Sequence, residues 1–229
     1  MNNRVFAILI SLILTACGGS GGSGGSDGVT TTPGPSNASF LTTSPDTDEV
    51  GESQRFNLSG TASGNGETLA ISGSYSTTRK PNEQRNGEEV IVYDVVLVVS
   101  FPSQGTTVSS AVTSYAKMDG TFLLQRLDTG VECYPNDNYA DLPTSVKIGE
   151  NGVLGSVNCS DGTAISGSYL VEESSRNSAW AAIRVYATTT TPGDPDIYTD
   201  VVWHYSEDGR IHALEISASD NVISFELIS

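Results

Sequence analysis

The hexapeptide Ala70-Ile71-Ser72-Gly73-Ser74-Tyr75 returns as Ala164-Ile165-Ser166-Gly167-Ser168-Tyr169, 94 residues further on. Small residues recur by chance in so short a word, so a second correspondence is needed. Ser114-Tyr115-Ala116-Lys117-Met118-Asp119-Gly120 supplies it against His204-Tyr205-Ser206-Glu207-Asp208-Gly209, with the Asp-Gly pairs 89 residues apart. The shortening between the two offsets falls in the long polar stretch 79–89 after the first hexapeptide. Self-similarity at a fixed period marks a structural unit used twice, here two related halves of about 90 residues, 46–134 and 135–229, in one compact domain.

Inside each half the signals are those of strands. Val90 to Phe101 is a β-branched run closed by Pro102, and its counterpart is Ala179 to Ala187, which leads into the turn-rich stretch 188–195. Asp-Gly between alternating segments is a hairpin signal, because both turn residues must tolerate positive φ. No sustained 3.6-residue apolar stripe argues for a helix. The expected class is all-β and antiparallel, with roughly five or six strands per half. Strands in that number must hide their edges, and either a closed barrel or a two-sheet sandwich does so.

The N-terminus reads differently. A single early positive charge, Arg4, precedes an apolar run from Val5 to Leu14, too short to span a bilayer as a helix but suited to a secretory signal. Leu14-Thr15-Ala16-Cys17 follows, and this segment resembles the lipobox of bacterial lipoproteins. The resemblance covers only these first residues. It implies that 1–16 are a signal peptide removed on export, and that the Cys17 thiol carries a diacylglycerol with the new amine usually acylated as well, for example by palmitate. It also implies a partner, the membrane, held durably because more than one chain inserts. Gly18 and Gly19 stand where an Asp would favour the inner membrane, so the outer membrane of the cell envelope is the expected site. Residues 17–45, rich in Gly, Ser, Thr and Pro, read as a disordered tether with a reach on the order of 30 Å.

The chain carries a formal charge of −16, which speaks against nucleic acid and anionic lipid surfaces as partners. Of three cysteines, Cys17 is taken by lipid, leaving Cys133 and Cys159 as an even pair in an oxidising compartment, where a disulfide is expected. Neither has a cysteine at its repeat-equivalent position, so the bond reads as a staple across the junction of the halves.

Chemistry-bearing motifs are few. Gly18-Gly19-Ser20-Gly21-Gly22 matches the GxSxG pattern in letters but lies in the tether, without the strand-to-helix elbow the motif needs. The Gly73-Ser74 and Gly167-Ser168 pairs read as bends or close backbone approaches in strands. With Asp208 and Gly209 as the two central turn residues, Tyr205 faces His212, and alternation puts His204 on the opposite face. His212 then packs, half-buried, on the apolar face with Trp203 and Tyr205. Three acidic groups, Asp46/Asp48/Glu49/Glu52, Asp137/Asp141 and Asp194/Asp196/Asp200, lack EF-hand spacing and read as solvated turns. Trp180, Trp203, Tyr93, Tyr186 and Tyr205 read as core, or as the lining of a cavity if the strands close into a barrel.

No catalytic residue, metal ligand or cofactor can be named. The expected function is a non-catalytic β-rich binding or envelope-assembly domain. The alternatives are a barrel carrier of a small apolar ligand and, third, an enzyme of unknown reaction.

Overall fold

The computed structural model describes residues 38–42, 49–220 and 222–229; Cys17, the GxSxG match, Asp46 and Asp48 lie outside them. The regular elements of the described chain are almost all strands: β1 (Phe40–Leu41), β2 (Ser53–Gly64), β3 (Glu67–Arg85), β4 (Glu88–Phe101), β5 (Thr106–Lys117), β6 (Phe122–Leu127), β7 (Glu132–Pro135), β8 (Ser145–Val146), β9 (Asn151–Cys159), β10 (Ala164–Glu173), β11 (Ala181–Thr190), β12 (Ile197–Tyr205), β13 (Ile211–Ser219) and β14 (Ile223–Ile228). A single 3-10 turn, Pro102–Gln104, links β4 to β5.

Twelve strands close into one antiparallel barrel, resolving the choice between barrel and sandwich. The strands β2 to β7 form one consecutive run around the wall, and β9 to β14 the other. The runs meet at two seams, β14 against β2 and β7 against β9. The repeated hexapeptide occupies the second strand of each run, in β3 and β10, and the Asp-Gly turns join the fourth strand to the fifth in both.

Local chemistry explains the turns. Asn65-Gly66 and Asn86-Gly87 both have positive φ at both positions, the geometry that lets a two-residue loop follow the twist of its strands. The Asp-Gly turns are longer than expected. Lys117 N–H donates to Thr121 O and Ser206 N–H to Arg210 O, leaving three-residue loops with Gly120 and Gly209 at positive φ. Such a loop carries an extra residue into one strand. The register shifts between Tyr115 and Ala116 in one hairpin and between His204 and Tyr205 in the other. Tyr205 therefore pairs with Ile211 rather than His212. A one-residue slip reverses the face of a side chain, so His212 is exposed on the outside instead of packing inside.

The barrel is filled rather than hollow. Phe56, Leu58, Leu97, Val99, Ile183, Trp203, Tyr205, Leu214 and Leu227 meet in one core. Gly73 permits the packing of β3 on β4, since a Cβ there would lie 2.3 Å from Val98 O. Thr61, Ser63, Asp200, Ser217, Ser219 and Glu226 alternate with core residues and point outward on β2, β12, β13 and β14. On these four strands apolar residues face inward and polar ones outward, the reverse of the lipid-facing wall of a membrane-spanning barrel, which is apolar.

Two further findings concern boundaries. The Cys133–Cys159 disulfide is present, joining residues directly opposite one another on β7 and β9. The fold also begins earlier than position 46: β1 pairs with β8, and Phe40, fully buried, enters the core beside Val146. The stretch taken as tether thus contains an anchor residue of the domain.

Candidate functional site

The outer wall formed by β11, β12, β13, β14 and β2 is concave, because short side chains line its floor and tyrosines rise at its side. Register places Tyr186, Asp200, Ser217, Glu226 and Thr61 in one row across these five strands. A second row runs Thr188, Tyr198, Ser219, Ser224 and Ser63. Together they line a groove of 630 Å³. Tyr198 is 55% exposed and Tyr186 44%. Tyr186 faces Asp200 directly, so Tyr198 is its diagonal neighbour, with Cα atoms about 7–8 Å apart and the Cβ atoms somewhat closer.

One arginine organises the wall of the groove. Arg184 Nε donates to Glu172 at 3.0 Å, its Nη1 donates to Asp200, and its guanidinium lies 6.0 Å from the Tyr186 ring centre. Burial works against the charge on Arg184, but the two carboxylates more than offset it and hold the guanidinium above its ordinary value. Burial is also the largest influence on Asp200 and raises its carboxyl, against the opposing pull of Arg184. The second oxygen of Asp200, Oδ1, is buried without a hydrogen-bond partner.

Further along the outward side of β12 lies His204, 1% exposed. Ser174 Oγ stands 2.7 Å from its Nδ1, and Glu215 Oε1 lies 3.3 Å from Nε2, a charge-pair distance without hydrogen-bond alignment. Serine, histidine and carboxylate in sequence suggest a nucleophile and its base. The Ser174 oxygen is already committed, however. It accepts the N–H groups of Arg176 at 3.1 Å and Asn177 at 3.4 Å, which leaves its proton for His204. The trio pins the loop 174–180 to the wall. That loop delivers Trp180, whose ring stacks on His212 at 4.3 Å and 7°. His204 and His212 thus share the outer side but have separate partners.

The remaining candidates disperse. Among the described residues no group of three His, Cys, Asp or Glu side chains could hold a metal ion. Glu52 accepts from its own turn at Glu49 N, Asp141 from Phe122 N, and Asp196 from Thr190 Oγ1. Tyr93, Trp203 and Tyr205 are core, whereas Tyr186 and the partly buried Trp180 lie on the outer wall. Tyr198 was missed altogether; its only sequence signal is an aromatic residue out of phase with the inward positions Ile197, Thr199 and Val201.

No protein-family model and no curated protein matches the chain. The chain is similar to one whose crystal structure is that of a provisionally assigned lipoprotein from Parabacteroides distasonis, at 14% identity and a TM-score of 0.34, covering 83% of this chain and 99% of that one. A likeness of that strength bears on neither function nor location.

Proposed function

We propose that this chain is a lipoprotein of the cell envelope, anchored through Cys17, whose barrel is a non-catalytic binding domain that uses the outer groove. The observation that carries the reading is the pair of exposed tyrosines, Tyr186 and Tyr198, over a concave floor on a barrel whose interior is already filled. A carrier of an apolar ligand would need the interior space that the core occupies. An esterase-like reading needs a free serine, and Ser174 is engaged on every side. Nucleic acid is a poor fit to a chain of charge −16 whose groove presents Glu226. The resemblance of Leu14-Thr15-Ala16-Cys17 to a lipobox supports the anchor, and Gly18 with Gly19 supports the outer membrane.

Two measurements test this. Cells labelled with palmitate carry label in the wild type, and Cys17→Ser abolishes both the label and membrane association. A photoreactive phenylalanine analogue placed at Ser224, in the groove, gives adducts in intact cells, while the same group at exposed Ser109 on β5 does not. Equal adducts at both positions, or none at Ser224, refute the groove as the binding face.

A further inference from the structure

Resting on that reading of the groove, we infer that its ligand is a neutral polysaccharide strand. A pyranose presents an apolar C–H face and a rim of hydroxyl groups, and the groove offers complements to both. Tyr186 and Tyr198 supply rigid, amphipathic rings that lose little conformational entropy on binding. Their diagonal placement, with Cα atoms about 7–8 Å apart, lets the two rings meet separate sugar units of a chain rather than one small molecule. The floor supplies hydroxyls at Ser217, Ser219, Ser224 and Thr61, and the Glu226 carboxylate accepts from ligand hydroxyls. Strands lie about 4.8 Å apart, so these polar groups recur at the scale of one sugar ring.

The platform is also held in place before any ligand arrives. Arg184, fixed between Glu172 and Asp200, lies beside the Tyr186 ring. Preorganisation of this kind removes part of the ordering cost of binding.

Competing ligand classes fit less well. A peptide that adds a strand needs an open sheet edge, and the closed barrel offers none at the groove. Phosphate and uronate polymers meet the Glu226 carboxylate and the overall charge of −16. A polycation needs a field of free carboxylates, but Asp200 is taken up by Arg184. A lipid tail needs an apolar floor, where this one carries serines and a threonine.

The test is affinity electrophoresis of the full-length lipidated protein in detergent, through gels containing laminarin, mannan, xylan or dextran, with polygalacturonate as the charged control. At least one neutral polymer retards the protein, and polygalacturonate does not. Tyr186→Ala and Tyr198→Ala each weaken retardation about tenfold, the size of an interface anchor. Tyr198→Trp retains it, and Tyr134→Ala, an exposed tyrosine on β7, leaves it unchanged. Thermal melting of each variant separates lost binding from lost folding. The inference is overturned if none of the four neutral polymers retards the protein, if polygalacturonate does so equally, or if retardation survives both alanine substitutions. Ser224 photo-adducts of peptide mass, with no polysaccharide effect, would remove the glycan and leave the groove as a binding face. Absence of adducts and of retardation removes both.

Discussion

Tyr115 and His204 stand 89 residues apart at the same step of a hairpin that the chain builds twice. Each precedes a one-residue register shift, each lies on the outer side of the wall, and each is nonetheless buried, at 0% and 1% exposure. Their covers differ. Arg85 lies over the Tyr115 ring at 3.8 Å from its centre, and the loop 174–180 covers His204 through Ser174. The same backbone thus supports an arginine-capped aromatic in one run and a hydrogen-bonded imidazole in the other.

The imidazole makes stability depend on pH. Burial lowers the His204 pKa below its ordinary 6.5, with Glu215 opposing and Arg176 and Arg184 adding to the effect. The unfolded chain then binds more protons than the folded one between the folded value and 6.5. Stability is therefore full above pH 6.5 and falls as pH drops toward the folded value. Asp141 and Asp200, whose carboxyls burial raises, act in the opposite sense from 3.8 upward. Urea titrations across this range should show a His204 component that His204→Gln removes. A profile identical in wild type and variant would dismiss it.

Phe40 should matter as much as any core residue despite its distance from the rest in sequence. Phe40→Ala is expected to lower stability by about 3–5 kcal/mol through the cavity it leaves. A chain beginning at Ser44 should melt well below one beginning at Ala38. Equal melting temperatures would show that β1 contributes nothing.

The seam at β14 and β2 is intolerant of a methyl group. A Cβ on Gly60 would sit 1.8 Å from Glu226 O, with backbone atoms of Glu226 and Leu227 behind it. Gly60→Ala should cost about 3 kcal/mol or more, since neither strand can yield without breaking the ladder. At Gly66 the space is open and only the positive φ of 81° resists, so Gly66→Ala should cost about 1–2 kcal/mol. Differential scanning calorimetry of the two variants checks the order.

The other seam is covalent. The Cys133–Cys159 bond spans 26 residues. In the chain-entropy model its loss costs about 3–4 kcal/mol, enough to lower the melting temperature of the Cys133→Ser, Cys159→Ser double variant without unfolding it. Alkylation under denaturing, non-reducing conditions should find neither thiol free; two labelled cysteines would refute the bond.

Much of the architecture was legible because it is written in local patterns. The β-branched run at Val90–Phe101 became β4, and the absence of a helical stripe matched a chain of strands. Cys133 and Cys159 paired as parity suggested. Positions that depend on one residue of register were not legible. Asp208-Gly209 fits a two-residue turn or a three-residue loop equally well on paper, and the choice alone decides which way His212 points. Phe40 was hidden because two apolar residues, Phe40 and Leu41, among Ser, Thr and Pro form no periodic pattern. The groove was invisible for a related reason: Tyr186, Asp200, Ser217 and Glu226 become neighbours only through cross-strand pairing, and outward serines look like any solvated strand.

The β1 strand also gives the barrel a near end and a far end. Leu41 N–H donates to Glu207 O at 3.5 Å, so the chain enters beside the hairpin that joins β12 to β13. Tyr198 lies at the opposite end of β12, about 20 Å away along the strand. With the proposed Cys17 anchor, the barrel is held at the hairpin end. Tyr186 and Tyr198 then sit outboard of the proposed attachment, where the inferred polysaccharide would lie across them without being threaded between protein and mooring.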